Sequence, residues 1–238
     1  MQDLSTNAEE HARSRVLTAL TAGFVTCLLV ADITGSKFFR LELFTIGGYE
    51  FVTHSVGMLS FPVTFLLTDL INEYFGAKAA RRTTYLGLAC ALLAFGLIFL
   101  ARQLPVAPQS PLPQPVFEQV FAMSNRLYVA SLTAYLIGQL CDIALFGLFK
   151  RLTNGKLVWL RATGSTVVSQ LFDSLAVTFI LFAGVTAANG TAPPTSALLE
   201  IAFTGYILKF VLALLLTPLI YAGRWLIATR FGLTPAVV

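Results

Sequence analysis

Charge is what this chain has least of: 12% of its 238 residues are Asp, Glu, Lys or Arg, against 56% hydrophobic residues. Soluble domains carry about a quarter of their residues charged, so this balance, with a mean hydropathy of +0.77, excludes an ordinary water-soluble fold. Cysteine is sparse too. Cys27, Cys90 and Cys141 fall in separate apolar segments with no CxxC spacing, which excludes a disulfide framework. The two histidines, His11 and His54, are far apart and unpaired with cysteine, so no metal site is expected and both should be interfacial or solvated. P-loop, GxSxG and HExxH strings are all missing. A deep histidine for an intramembrane serine protease and the glycine-flanked acid of an aspartyl protease are missing as well. Neither catalysis nor a cofactor is expected. No alternating barrel pattern or 20 to 50 residue repeat occurs.

What is present is apolar sequence in lengths of about 20 residues, the length that spans a bilayer as helix. Six such segments run Val16 to Phe38, Ser55 to Phe75, Thr83 to Ala101, Leu127 to Phe149, Ser165 to Ala187 and Ala197 to Gly223. The fold class is therefore all-α and polytopic: a cytoplasmic segment 1–15, a six-helix domain 16–223 and a cytoplasmic tail 224–238. With the N-terminus inside, Arg13, Arg15, Lys78, Arg81, Arg82, Lys150, Arg151, Lys156, Arg161, Arg224 and Arg230 are cytoplasmic, and only Lys37, Arg40, Arg102 and Arg126 are outside. Such asymmetry over short loops predicts both termini in the cytoplasm, with Trp159 and Trp225 in the interfacial belt on that side. The net charge of +4 is carried by these short loops, where lipid headgroups explain it and nucleic acid does not. The first apolar segment lacks a small-residue cleavage site and reads as an anchor.

Outside, the proline-dense stretch Leu104 to Pro115 reads as semi-rigid and extended, followed by a short interfacial helix over Val116 to Ser124. Gly47-Gly48, within Glu42 to Val52, signals a hairpin or a re-entrant dip. Gln139-Leu140-Cys141-Asp142 and Gln170-Leu171-Phe172-Asp173 echo one another in segments four and five. Three spans per half would give an inverted 3+3 repeat, the architecture that builds transporter sites near the midplane.

The informative residues are those that do not belong in hydrocarbon: Asp32, Asp69, Glu73, Asp142, Asp173 and Lys209. A charge at the bilayer centre costs about 2.5 to 3.5 kcal/mol on insertion scales, so it faces a partner, a cavity or a substrate. Asp69 and Glu73 are spaced i, i+4 on one helical face. They repel unless a proton, a cation or an amine-bearing substrate intervenes, as in a coupling site; the alternative is that Glu73 pairs at the interface with Lys78, Arg81 or Arg82. Gln139 with Asp142, and Gln170 with Asp173, present an amide and a carboxylate to one side. That set suits the edge of a guanine-like heterocycle, or else interhelical glue. Lys209 is too deep to snorkel and needs Asp142 or Asp173, in a static bridge or one remade during transport. Gly35, Pro62 and Pro218 allow breaks whose freed backbone groups, with Ser165, Ser169 and Ser174, can line a cavity. Tyr74 and Phe172 are the candidate aromatic stackers.

Ala31-Asp32-Ile33-Thr34-Gly35-Ser36-Lys37, the string from Ser60-Phe61-Pro62 through Asp69, Glu73, Gly76 and Lys78 to Arg81, and Trp159-Leu160-Arg161 through Ser165 to Ser174 together resemble the putative vitamin uptake family. That family contains the queuosine-precursor transporters. The likeness covers nearly all six segments, departing where Glu73-Tyr74-Phe75-Gly76 stands in place of Glu-Val-Tyr-Gly. It implies a bacterial inner-membrane protein that takes up cyano- and aminomethyl-deazaguanine without a dedicated ATPase, and a homo-oligomer is one assembly it allows. The alternative is the substrate-binding subunit of an energy-coupling vitamin importer, for which Ala19-x-x-x-Gly23 would be a docking patch for a partner helix.

Overall fold

In lipid every backbone polar group must be satisfied within its own segment, and the chain meets this almost wholly with helices. The computed structural model describes residues 2–39, 54–121, 125–154, 156–183 and 194–236. Helix α1 spans Gln2–Thr34, α2 Gly57–Gln103, α3 Gln114–Phe121, α4 Asn125–Leu152, α5 Val158–Phe182 and α6 Thr195–Phe231. Five of them, α1, α2, α4, α5 and α6, are long and apolar enough to cross a membrane. The extended elements are β1 (Phe38–Phe39) and β2 (His54–Ser55), a two-residue antiparallel ladder in which Phe38 pairs with Ser55. The Gly47-Gly48 turn lies outside the described residues.

The ladder returns the chain to the end of α1. Ser55 Oγ donates to the Gly35 carbonyl at 2.8 Å, and a side chain at Gly57 would meet the Ala31 carbonyl oxygen at 2.3 Å. Only glycine lets α2 start so close to the α1 backbone.

As a straight helix the 47 residues of α2 would be about 70 Å long, more than twice the hydrocarbon thickness. It is not straight. At Gly76 the backbone leaves the helix with φ 81 and ψ 170, a region open to glycine and costly for other residues. Leu67 packs against Gly23 of α1, while Thr83 shares a 3.3 Å hydrogen bond with Thr21 of α1. Leu67 and Thr83 would be about 24 Å apart on a straight helix, so their meeting the same turn of α1 requires that α2 fold back on itself. Tyr135 confirms the hairpin: its ring lies 6.4 Å from Phe61, on the first arm, and its hydroxyl donates to the Thr84 carbonyl, on the second, at 2.8 Å.

The exterior is apolar, with Leu93, Leu97, Leu100, Leu215 and Trp225 exposed, while Thr64, Thr68, Asp69, Asn72, Gln139, Asp142, Ser169, Gln170 and Asp173 are buried. That is the inverse of a water-soluble bundle. Both ends of the chain come to the Gly76 end of the bundle. Arg13 donates to the Tyr74 carbonyl at 3.0 Å, and the Ala236 amide donates to the Glu73 carbonyl at 2.9 Å.

Several bounds differ from those expected. Helix α1 continues back through the polar residues 2–15, and α6 runs on past Gly223 to Phe231. There Gly232, at φ 63, turns the tail so that Leu233 enters the cluster formed by Val16, Leu70, Phe146 and Ile227. The helix expected over Val116 to Ser124 falls on α3, which begins at Gln114, and residues 122–124 lie outside the described residues. Gly23 faces Leu67 of the same chain, so the Ala19-x-x-x-Gly23 patch is in part an internal contact.

Gly57→Ala is expected to be the more damaging of two alanine variants. Gly76→Ala adds a methyl where nothing lies within 4 Å and costs only the strain of a backbone conformation that is essentially confined to glycine, about 1 to 3 kcal/mol. Gly57→Ala must instead drive two backbones apart. Thermal unfolding in detergent checks this, with the larger loss of midpoint expected at Gly57.

Candidate functional site

The buried polar residues form one axis through the bundle, best followed from its open end. There α1, α2, α4, α5 and α6 enclose a cavity of about 720 Å³, within the range that holds small-molecule ligands. Its polar lining includes Asp32, Ser131, Ser174, Asp173 and Lys209, and Phe61 lies among its apolar walls. The Asp32 carboxylate accepts from Ser131 Oγ at 3.3 Å on Oδ1.

At one level Lys209 Nζ donates to Asp173 Oδ2 in a buried ion pair, with the ammonium 5.9 Å from the centre of the Phe61 ring. Asp173 reaches this position because α4 carries Gly138 opposite it: a methyl on Gly138 would sit 3.1 Å from Asp173 Cβ.

One layer deeper lie two buried amides. Gln139 is fully enclosed and donates from Nε2 to Thr64 Oγ1 at 3.2 Å, and its Oε1 has no partner. Gln170 is 2% exposed, and neither its oxygen nor its nitrogen is hydrogen-bonded. Buried polar groups are nearly always satisfied, and each exception asks for an explanation. Here the open positions are one acceptor on Gln139 and both kinds of site on Gln170.

Below the amides, Asp142 Oδ1 accepts from Thr166 at 3.1 Å and Ser169 at 3.2 Å. Asp69 is its neighbouring acid. Among the described residues Asp69 Oδ1 and Asp142 Oδ2 have no hydrogen-bond partner. Two carboxylates held close in a buried site repel, and a proton on one of them relieves this. A water-sized cavity of about 30 Å³ adjoins them, lined by Asp69 and Thr166.

The far end is closed by ions. Glu73, 1% exposed, meets Arg161 Nη2 at 2.5 Å, Arg224 Nη2 at 3.4 Å and Lys150 Nζ at 3.4 Å. Arg161 is itself buried, its guanidinium 5.7 Å from the Phe146 ring centre.

The likeness to known proteins can be set against this geometry. Residues 55–223 match the family described as "Putative vitamin uptake transporter". The chain belongs to that family. It is a multi-pass protein of the bacterial inner membrane, of a family of small-molecule transporters. It is 30% identical over 177 residues, 74% of each chain, to the "Probable queuosine precursor transporter" of Bacillus subtilis. It is 29% identical over 186 residues to the protein of that name from Haemophilus influenzae, covering 74% of this chain and 71% of that one. To the "Queuosine precursor transporter" of Escherichia coli it is 33% identical over 132 residues, 53% of this chain and 54% of that one. No solved structure matches it.

The transporter's geometry sorts the residues singled out in its sequence. Asp173 and Lys209 lie on the large cavity and pair with each other. Gln139, Gln170, Asp142, Ser169 and Asp69 follow on the same axis, although not as one flat recognition edge. Because α4 and α5 run antiparallel, Gly138 lies opposite Asp173 and Asp142 opposite Thr166 and Ser169. The two Gln-x-x-Asp motifs therefore put their carboxylates about 6 Å apart along the axis, four residues of helical rise.

Glu73 does not pair with Lys78, Arg81 or Arg82, which are exposed. Its partners come from α4, α5 and α6. Neither aromatic candidate lines the cavity. Phe172 is 48% exposed on the outer face of α5, and Tyr74 is buried at the Glu73 end, its hydroxyl donating to the Arg224 carbonyl at 3.1 Å. Arg161, Lys150 and Arg224 were legible only as loop cations, because each lies at or beyond the end of an apolar run and spacing cannot show that the ends converge.

Glu73→Gln is expected to be poorly folded, since it leaves three cations facing one another around a neutral amide. Breaking a buried ion pair costs about 3 to 5 kcal/mol. Asp69→Asn should be near neutral for stability, because it removes one of two neighbouring acids and offers the other an amide donor. Monodispersity and melting temperature in detergent check the contrast, and equal behaviour of the two variants would contradict it.

Proposed function

We propose that this protein imports the 7-deazaguanine precursors of queuosine, 7-cyano-7-deazaguanine and 7-aminomethyl-7-deazaguanine, as a secondary transporter or facilitator. The observation that carries this is the open amide positions, Oε1 of Gln139 and both polar atoms of Gln170, on the helices that flank the Asp173–Lys209 ion pair of the cavity. A guanine-like edge places a ring carbonyl beside N–H groups, so it needs at least one donor, one amide acceptor and one carboxylate. Those are the groups present. The three relatives, all named as transporters of queuosine precursors, support the same substrate class.

We take the membrane passage to be six crossings, with the two arms of α2, 57–75 and 77–103, each spanning once. Both arms are long enough, and the turn at Gly76 brings them side by side. Arg13, Lys150, Arg161 and Arg224 gather at the end where both chain termini lie. Positive residues favour the cytoplasm, which makes that end cytoplasmic and opens the large cavity to the outside. The weak echo of Gln-x-x-Asp on α4 and α5 fits an inverted repeat.

Coupling, if the protein accumulates its substrate, falls to Asp69 with Asp142. Glu73 is held by three cations and is not free to exchange a proton, whereas the two aspartates already need one between them.

Proteoliposomes test the function and its coupling together. Labelled deazaguanine should enter, faster when the outside is acidic, and Asp173→Asn or Gln170→Ala should lower uptake by about tenfold or more, the loss expected when buried donors are left unpaired. Asp69→Asn should exchange substrate without concentrating it. Wild-type uptake by both cavity variants would return these residues to packing, and uptake indifferent to the gradient in wild type and Asp69→Asn alike would leave facilitated diffusion.

A further inference from the structure

Asp32 is the acid that the scheme above does not use. Each of the other intramembrane acids has a counter-charge or a neighbouring acid: Glu73 has Arg161, Lys150 and Arg224, Asp173 has Lys209, and Asp69 and Asp142 have each other. Among the described residues Asp32 has one neutral donor, Ser131, on Oδ1, and its Oδ2 is buried without a hydrogen-bond partner. Arg126 lines the same cavity but is committed elsewhere, Nε to the Ile180 carbonyl at 2.8 Å and Nη2 to the Ala183 carbonyl at 2.5 Å. Among the described residues no ion pair to Asp32 is formed. A carboxylate left without a cation in an apolar wall is costly, and the Asp32 side chain borders the one large cavity described.

Asp32 and the Asp173–Lys209 pair on that cavity belong to different helices. Asp32 and Ser131 come from α1 and α4, and Asp173 and Lys209 from α5 and α6. A ligand whose ring edge engages the α5 and α6 side has its substituent left to meet another wall. On the reading proposed above, that substituent is either a nitrile, which is neutral and donates no hydrogen bond, or an aminomethyl group, a cation with three N–H donors at neutral pH.

We propose that Asp32, held by Ser131, is the receptor for the cationic arm of the substrate, and that it makes the transporter favour the aminomethyl form over the cyano form. The pairing satisfies both sides: the ammonium regains an anion on leaving water, and Oδ2 gains the donor it lacks. A charge-assisted hydrogen bond is about twice as strong as a neutral one, so the preference rests on this contact, while the shared ring rests on the amides.

The test is direct binding of each deazaguanine to purified wild-type, Asp32→Asn and Ser131→Ala proteins by isothermal titration. In Asp32→Asn the aminomethyl form should lose affinity by about tenfold or more, with the cyano form changed by less than about threefold. Ser131→Ala should shift the ratio the same way by less. Cyano binding reports that the variant is folded, so a selective loss cannot come from a damaged protein. Equal loss of both ligands, or no loss of either, would overturn the proposal. So would unchanged binding with accumulation of both ligands abolished in vesicles, which would make Asp32 a proton site instead. If the unmodified protein binds neither compound, the substrate reading fails first and this inference with it; if wild type binds both and only the ratio is unmoved by Asp32→Asn, the substrate reading stands alone.

Discussion

A carboxylate cannot be left bare in a low-dielectric interior, and at Glu73 this single requirement organises one end of the molecule. The acid comes from the first arm of α2, and its cations come from α4, α5 and α6. Each helix is long, apolar outside and without a hydrophobic reason to prefer one neighbour over another in lipid. The ion cluster supplies that reason, because an error of one turn in any helix would strand a charge. The backbone joins in: the Glu73 carbonyl accepts from Ala236, and Lys150 donates to the Glu73 and Ala236 carbonyls at 3.3 and 2.9 Å. Arg13 of α1 reaches the adjacent Tyr74 carbonyl, and its guanidinium lies 5.4 Å from the Phe75 ring centre. Elements from the first helix to the last residues described are thus tied within one turn of α2.

The same tie makes the bundle asymmetric. At the Glu73 end Tyr74, Phe146, Arg161 and Leu233 are each at or below 2% exposed. At the Asp32 end the helices stand apart around a cavity of about 720 Å³. A transporter has to exchange these two conditions, and the residues that stand between them are the polar layers of the axis. Followed inward from the cavity, the order is the Asp173–Lys209 pair, the amides, Asp142 with Asp69, and then the Glu73 cluster. Opening the packed end means separating Glu73 from at least one of its cations, a step whose cost is lowered where water can enter to solvate both. The exposure of Arg224, 26% against 1% for Arg161, marks α6 as the side where that separation is cheapest.

Much of this could be read from the residues, and the limits were physical. Apolar length gave the helices, and the cost of burying charge picked out Asp69, Asp142, Asp173 and Lys209 as interior groups before any contact was known. Lys209 was open to either Asp142 or Asp173, and depth alone could not choose; the antiparallel crossing of α4 and α5, with Gly138 opposite Asp173, decides it. Glu73 was misdirected to Lys78, Arg81 and Arg82 because nearness in sequence stands in for nearness in space only within a helix. Past Gly76 the chain turns back, and these cations leave on the exposed face. The pairing of Asp69 with Asp142 was invisible for a further reason. Two acids are not expected to attract, so nothing in the spacing of either points to the other. Phe172 illustrates the converse error: on a lipid-facing helix an aromatic flanked by functional residues is still one residue round the wheel from them, and the wheel points it outward.

Under the proposed function, binding groups and structural glue are the same residues. Helices in lipid hold together by close packing and by interior hydrogen bonds. Close packing is visible where Gly87 admits Phe24 and Tyr135, and where Gly223 admits Leu70, approaches that leave no room for a methyl. The interior hydrogen bonds include that from Gln139 to Thr64 and those from Thr166 and Ser169 to Asp142. Truncating any of these to alanine removes a packing contact and a recognition group together, so a lost activity would not say which had mattered. Isosteric exchange separates them, since Asp to Asn keeps volume and one acceptor while changing charge and donor count. The unpartnered atoms along the axis, on Asp32, Gln139, Gln170 and Ser174, are the complement to this: they bear no part of the present hydrogen-bonded framework. On the proposed function their unmet capacity is what a polar ligand would use, and the satisfied residues around them hold them in place.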